Sequence, residues 1–133
     1  MNVLWVTVGL PYSGKTTWAK TTGLPIVNPD SIRYALHGQR FCPDAEPHVW
    51  AIAQTMVRAL FLAGHQEVIL DATNCTEKRR QVWRSTHWET RWKAFDTSKE
   101  ECLRRAEGDE AIRPVIERMA AKFEPIEGCG TSA

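Results

Sequence analysis

A phosphate-binding pattern lies close to the N-terminus. The pattern GxxxxGK[ST] begins at Gly9 and ends at Thr16, and an apolar run of strand length, residues 3–8, comes directly before it. Gly9 and Gly14 allow the backbone to curl around a phosphate, so that amides of the loop and of the following helix point at its oxygens. Lys15 is expected to contact the β- and γ-phosphates of a nucleotide, and the Thr16 hydroxyl is expected to bind magnesium. The sequence therefore predicts ATP and Mg²⁺ as cofactors.

Two other residues of this loop bear on nucleotide binding. Pro11 has no N–H, so one donor is absent, but the five residues that follow it provide an unbroken row of amides. Tyr12 is expected to touch the nucleotide or the acceptor, although a surface position fits the sequence equally well. The residues predicted to bind the nucleotide in this segment are Gly9, Pro11, Tyr12, Ser13, Gly14, Lys15, Thr16 and Thr17.

Asp30 and Arg33 form a second pair with chemical potential, just after a predicted strand at 24–27. Three positions apart on a helix, they share one face at the edge of the sheet where α/β proteins bind ligands. A carboxylate there is suited to accept the proton of an attacking hydroxyl, and a guanidinium is suited to grip a phosphate. The alternative is structural, with Asp30 as a first-turn acid favoured by the helix dipole and Arg33 as its solvent-exposed partner.

Asp71 ends an apolar strand, residues 67–71, at a position where many phosphate-loop proteins carry a magnesium-orienting carboxylate. It is predicted to hold the metal directly or through a water, and to lie beside the bound substrate. The alternative is a carboxylate that only caps the following turn, residues 72–75.

Arginines in two later segments are candidates for phosphate contacts. The first segment is a basic cluster on a predicted helix, which consists of Lys78, Arg79, Arg80 and Arg84. From it Arg80 is predicted to contact the substrate, although a solvated basic face is the ordinary explanation. The second segment flanks a break at Gly108, where a lid would close on ATP and neutralise the transferring phosphoryl group. Arg105 is the first choice for this lid arginine and Arg113 is the second.

Apolar runs and helical stretches alternate along the chain, which is typical of an α/β fold with a parallel sheet and crossover helices. Strands are predicted at 2–8, 24–27, 67–71 and 91–95, the last as an edge strand. Helices are predicted at 14–22, 28–37, 48–63, 76–87, 98–107 and 111–123. Residues 39–47 are predicted to form a mobile loop. The domain is expected to span residues 1–124 and to be followed by a loose tail, residues 125–133.

Composition limits the other classes of function. A chain of 133 residues fits one domain, and its net charge of +1 gives no overall field toward nucleic acid or an anionic membrane. No apolar run approaches the length of a membrane span. The cysteines contain no CxxC pair, so a zinc site is not expected, and reduced thiols in a cytoplasmic protein are predicted. They are Cys42, Cys75, Cys102 and Cys129.

Four segments together resemble the kinase domain of phage-type 5'-hydroxyl polynucleotide kinases, within the small P-loop kinases that include zeta-toxin-like and AAA-type ATP-binding kinases. The segments are GLPYSGKTTWA at 9–19, NPDSIR at 28–33, LDATNCTEKRR at 70–80 and FDTSKEECLRR at 95–105. The resemblance implies a three-layer P-loop sandwich like that of adenylate kinase, with a parallel sheet of order 2-3-1-4. It also implies that Asp30 is the general base and that Arg33 binds the acceptor-side phosphate.

The resemblance implies an ATP-dependent kinase that transfers the γ-phosphate to a nucleic-acid hydroxyl, first of all the 5'-OH end of DNA or RNA. The alternatives are a kinase of a hydroxymethylated base in DNA and a kinase of a small molecule or nucleotide. Nucleic acid is the expected partner, with no membrane and no required protein partner. The expected location is the cytoplasm, that of the host if a phage encodes the protein.

Overall fold

Four parallel strands form the centre of the computed structural model, which describes residues 1–40 and 46–126. Strand β1 spans Val3–Val8, β2 spans Ile26–Val27, β3 spans Glu67–Leu70 and β4 spans Glu89–Ala94. Their order is β2-β3-β1-β4, with β4 at an edge, so the predicted 2-3-1-4 sheet is confirmed. Parallel neighbours need crossover connections, which helices supply.

Six helices of the described residues connect or flank these strands. They are α1 (Lys15–Thr21), α2 (Pro29–His37), α3 (Glu46–Leu62), α4 (Glu77–Gln81), α5 (Lys99–Arg105) and α6 (Arg113–Lys122). The start of α2 follows from its sequence, because the Asn28 side chain accepts hydrogen bonds from the amides of Asp30 and Ser31 and proline suits the first helical position. This cap places Asp30 in the first turn, directly after β2.

Side chains of β1 alternate between two helical layers. Leu4 and Val6 are fully buried and share a core cluster with Val57 of α3. Trp5 faces the other way, and its ring packs edge-on against that of Trp18 in α1, with the centroids 6.3 Å apart. Helices therefore cover both faces of the sheet, which confirms the three-layer α/β architecture.

A second core cluster brings the C-terminal helices against the loops that follow β1 and β3. Ile116 of α6 and Cys102 of α5 are fully buried and pack with Leu10 and Cys75. The last two helices therefore stand next to the phosphate-binding loop. The structure has Cys75 and Cys102 as free thiols, whereas the other two cysteines lie outside the described residues.

The basic helix predicted at 76–87 is wrong in length, because α4 ends at Gln81. The reason lies in Trp83, whose side chain is fully buried. Its carbonyl accepts hydrogen bonds from Trp88 Nε1 at 3.0 Å and from Thr90 Oγ1 at 2.7 Å. Because these side chains use the Trp83 carbonyl and both indoles are buried, the chain forms turns after Gln81 and the helix does not continue.

Other boundaries differ by at most two residues, as is usual at helix and strand ends. The largest consequence is that α3 begins at Glu46, within the predicted loop 39–47. Part of that loop, residues 41–45, and seven residues of the predicted tail, 127–133, lie outside the described residues. Within the described ranges, no helix combines the length and the apolar character needed to cross a bilayer.

Candidate active site

The loop between β1 and α1 has the tight backbone that a phosphate cradle requires. Gly14 has a φ of 105° and Tyr12 a φ of 66°, both in the left-handed region. A Cβ on Gly9 would lie 2.6 Å from Ser13 Oγ and 3.1 Å from Phe95 Cβ, so a larger residue would force the loop to move. Among the described residues, no side chain caps the first turn of α1. Its amides can therefore serve a bound anion.

Lys15 lies on the floor of this loop and is only 7% exposed. Its Nζ donates to the carbonyl of Leu10 and, at 3.3 Å, to Ser13 Oγ. Burial lowers the Lys15 pKa to about 8, and the negative charge of Asp71 opposes that effect. A phosphate in the loop would add a stronger counter-charge and favour the protonated amine.

Asp71 connects the nucleotide loop to the helix that carries Asp30. It is 3% exposed at the end of β3, and its Oδ2 accepts hydrogen bonds from Thr16 Oγ1 at 2.8 Å and from Asn28 Nδ2 at 3.1 Å. Because Asn28 also caps α2, the carboxylate fixes both elements relative to one another.

The Thr16 hydroxyl and the Asp71 carboxylate fit the preferences of Mg²⁺ for oxygen ligands. Thr16 donates its proton to Asp71, so its oxygen lone pairs remain for a cation, and the carboxylate is placed to hold a metal-bound water. Residues 1–40 and 46–126 contain no cluster of three or more His, Cys, Asp or Glu side chains arranged as a metal site. A magnesium ion here would take its other ligands from phosphate oxygens and water.

Asp30 and Arg33 form an ion pair on one face of α2, as their spacing predicts. Arg33 NH1 donates to Asp30 Oδ1 at 2.5 Å. The rest of the guanidinium fork goes to Glu46, with Nε to Oε1 at 2.7 Å and NH2 to Oε2 at 2.8 Å. The bond from Arg33 lowers the pKa of Glu46. The Asp30 side chain is 54% exposed and the Arg33 side chain 16%, so the carboxylate is the accessible member of the pair.

A cleft of about 670 Å³ brings these groups together. Ten residues predicted from the sequence line it, namely Pro11, Tyr12, Gly14, Lys15, Thr16, Thr17, Asp30, Arg33, Asp71 and Arg105. One space is therefore lined by the phosphate loop, by the two oxygen-bearing side chains suited to a metal, and by an accessible carboxylate beside an arginine. Transfer of a phosphoryl group to a hydroxyl requires such an arrangement.

Comparison with known families identifies the domain. The sequence pattern of AAA_33, described as an AAA domain, matches residues 4–126. The chain belongs to this family. The assignment agrees with the P-loop kinase architecture of the sheet and confirms the resemblance to small P-loop kinases that the four sequence segments indicate.

Several solved structures share the fold of the AAA_33 domain. A chain in the structure of a Pnkp1/Rnl/Hen1 complex is 30% identical, with a TM-score of 0.69 over 78% of this chain and 38% of that chain. The domain thus spans well under half of that relative. The APS kinase CysC of Mycobacterium tuberculosis, solved with AMPPNP and APS, is 18% identical, with a TM-score of 0.68 over 98% of this chain and 86% of its own.

A gluconokinase from Sinorhizobium meliloti 1021 is 17% identical, with a TM-score of 0.60 over 93% of the AAA_33 domain and 76% of its own chain. At this identity, the gluconokinase and the APS kinase share the fold alone. No curated protein sequence matches the domain.

Arg80, predicted to contact the substrate, is instead a buried structural residue of the AAA_33 domain. It is 1% exposed and does not line the cleft. Its Nε donates to the carbonyl of Asn74 at 2.9 Å, and NH2 donates to the carbonyls of Cys75 and Glu124. A guanidinium held by three main-chain carbonyls ties the loop after β3 to the end of α6, and it is not available to a ligand.

The two lid candidates occupy different places. Arg105 lines the cleft, and its NH1 donates to the carbonyl of Tyr12 at 3.2 Å, next to the phosphate loop. Arg113 does not line it, because its NH1 donates to the carbonyl of Leu103 at 2.7 Å and joins α6 to α5. The geometry therefore favours the first choice. Arg118 of α6 also lines the cleft, and no sequence motif marks it.

The structure adds two contacts that sequence spacing did not indicate. One is Glu46, which lies 13 positions from Arg33 and binds it through both carboxylate oxygens. The other is Asp109, which accepts hydrogen bonds from Tyr12 Oη at 2.8 Å and from Arg40 NH1 at 2.9 Å. Asp109 thereby joins the phosphate loop, the segment after α2 and the break before α6. No local motif marks either carboxylate.

Proposed function

We propose that this AAA_33 domain is an ATP-dependent kinase whose acceptor is a nucleic-acid hydroxyl, the 5'-OH end of DNA or RNA. The observation that carries the proposal is the accessible Asp30 carboxylate beside Arg33, in the same cleft as Lys15. The resemblance of four sequence segments to 5'-hydroxyl polynucleotide kinases supports a nucleic-acid acceptor. The 30% identity to a chain of the Pnkp1/Rnl/Hen1 complex is consistent with it. The APS kinase and the gluconokinase, at 18% and 17%, bear on the fold only.

The donor side works by positioning and charge. ATP supplies the phosphoryl group when its phosphates lie in the loop at the start of α1. Lys15 and the α1 amides hold the phosphate oxygens. Thr16 and Asp71 would hold magnesium, directly or through a water, and the metal would neutralise phosphate charge. Arg105 lies beside the loop, where its charge stabilises the phosphoryl group in transfer.

The acceptor side prepares the hydroxyl. Asp30 accepts the proton of the attacking hydroxyl, and Arg33 binds the phosphate next to it in the strand. Arg33 already gives two donors to Glu46 and one to Asp30. An acceptor phosphate that takes NH1 of Arg33 would release Asp30 from the ion pair. Binding of the acceptor would thus free the general base for its proton.

A small-molecule acceptor is the second candidate, and the near-neutral charge of the chain favours it. A net charge of +1 provides no broad attraction for a polyanion, so any nucleic-acid contact must be local. Salt separates the two candidates. Between about 50 and 200 mM salt, a polyanionic acceptor loses affinity steeply because counterions compete for the protein, whereas a neutral acceptor does not.

The test is transfer of labelled γ-phosphate from ATP, with magnesium, to a 5'-hydroxyl oligonucleotide. The matched control is the same oligonucleotide with a 5'-phosphate. Label on the hydroxyl end alone, with a salt-sensitive KM, is the expected result. No label on either strand by a protein that binds ATP would contradict the proposed acceptor and favour the small-molecule alternative.

A further inference from the structure

Trp50 and Arg79 form a stacked pair on the wall of the cleft. The guanidinium carbon of Arg79 lies 4.9 Å from the centroid of the Trp50 ring, and both side chains line the cleft. Trp50 is half-buried and Arg79 is exposed. The pair therefore consists of a half-buried indole and an exposed guanidinium over its ring.

Trp83 supports the indole from behind. The centroids of the Trp50 and Trp83 rings are 6.1 Å apart with an interplanar angle of 57°, and Trp83 is fully buried. Aromatic side chains favour tilted contacts of this kind. The contact with Trp83 therefore stabilises the observed orientation of the Trp50 ring.

Glu46 links this stack to the acceptor residues. It accepts two hydrogen bonds from Arg33 and precedes Trp50 by one turn of α3, so the two residues share a helical face. The pKa of Glu46 is lowered first by the bond from Arg33 and further by the positive charge of Arg79. The stack therefore lies next to the arginine that is proposed to bind the acceptor phosphate.

We propose that the Trp50–Arg79 stack is a platform for a nucleobase of the acceptor strand, beside the phosphate bound by Arg33. Indole and guanidinium planes stack on every base, with little dependence on sequence. A sugar ring has no π system and cannot make the same planar stack. The inference rests on the proposed function and adds a requirement to it: the acceptor carries a base next to its phosphate.

A second arginine–tryptophan pair provides a matched control. Arg84 lies over the Trp92 ring at 5.0 Å, only five residues after Arg79, and neither residue is among the described residues that line the cleft. Arg84→Ala removes the same charge and a similar stack from the same basic segment. This variant therefore distinguishes an effect of losing the Trp50–Arg79 stack from an effect of losing one positive charge in the basic segment.

The experiment measures kcat/KM for two 5'-hydroxyl strands that differ only in abasic sites at the first two positions. The wild-type protein is expected to prefer the strand with bases about tenfold, chiefly through KM, the usual size of one base–aromatic stack. Trp50→Leu, which retains apolar bulk against Trp83, should remove the preference, and Arg79→Ala should reduce it. Arg84→Ala should keep the full tenfold preference for the strand with bases.

Each outcome decides the inference. Equal KM values for both strands with wild-type protein, or an unchanged preference in Arg79→Ala, would overturn the platform while leaving the proposed kinase intact. Arg79 is exposed, so Arg79→Ala is expected to fold and can test the platform even if Trp50→Leu does not fold. Absence of transfer to both strands by wild-type protein would instead contradict the proposed function, and the platform with it.

Discussion

The proposed nucleotide side and the proposed acceptor side of the cleft are built in different ways. The nucleotide side consists of the contiguous residues 9–17 and the buried Asp71, and its shape comes from backbone constraints at two glycines. The acceptor side consists of Asp30, Arg33 and Glu46, which come from two helices and are held by ion pairs between side chains. The main chain determines the shape of the first side. Ion pairs determine the shape of the second, and a charged ligand can replace one partner of such a pair.

This difference matches two tasks. Phosphate oxygens are the same in every nucleotide, so a fixed row of amides can serve any donor of this type. Acceptors differ, and side chains on separate helices can change without disturbing the loop. We therefore expect substitutions on the nucleotide side to abolish all transfer, and substitutions on the acceptor side to change which acceptor is used and how well.

The largest effect is expected on the nucleotide side at Lys15. Lys15→Ala removes the amine that is proposed to contact the transferring phosphate, and should lower kcat/KM at least about a thousandfold for every acceptor. Steady-state transfer assays on a nucleic-acid and a small-molecule acceptor provide the measurement. A variant that keeps a tenth of the wild-type rate would contradict the assignment of the loop.

Arg105 should come next, and Arg113 provides its control. Arg105→Ala is expected to lower kcat about a hundredfold, because the transferring phosphoryl group loses a neighbouring charge. Arg113→Ala should leave kcat near the wild-type value and lower the stability by about 1 kcal/mol, since it removes a hydrogen bond to Leu103. Rates and thermal unfolding are measured together. The reverse pattern would move the lid role to Arg113.

On the acceptor side, Glu46→Gln tests whether that carboxylate positions Arg33. The variant should raise the KM for the acceptor about tenfold and leave the KM for ATP unchanged. The half-buried Arg33 guanidinium loses one of its two charged partners, but the phosphate loop is untouched. Glu89→Gln, which removes the exposed partner of Arg91, is the matched control. Equal changes in both KM values would show that the two sides are not separable.

The smallest expected effect is a pH dependence confined to the nucleotide side. Burial places the Lys15 pKa at about 8 in the free protein, and bound phosphate favours the charged amine and raises that pKa. ATP affinity should therefore be level below pH 7 and fall by up to about tenfold per pH unit above pH 8. Lys15→Arg keeps its charge and should show a flat profile. If the ATP affinity of the wild-type protein stayed constant up to pH 10, titration of Lys15 would not control ATP binding.

The same contrast explains what could be predicted from the sequence. Local spacing, or a place after a strand, predicted the loop at Gly9–Thr16, the pair Asp30 and Arg33, and Asp71. The structure places residues of all three groups in one cleft, and their roles in the reaction stay predictions. The strand order came from the resemblance of four segments to a known family, and the structure has that order.

Residues that depend on distant partners were not predictable. Arg80 belongs to a run of basic residues that is typical of a ligand-binding surface. Its guanidinium is nevertheless buried, because it donates hydrogen bonds to the carbonyls of residues 74, 75 and 124. Glu46 gains its role only because α3 starts beside α2, and the α4 segment ends early because Trp83 is buried. Long-range packing decides such cases, and spacing along the chain carries no signal for it.

The most direct test of the central claim is single-turnover transfer by Asp30→Asn with ATP already bound. The variant keeps the size of the side chain and removes its ability to take the proton. The account predicts unchanged ATP occupancy and a rate of transfer to a 5'-hydroxyl oligonucleotide reduced at least about a hundredfold, the usual contribution of a general base. Transfer at a tenth or more of the wild-type rate would contradict it.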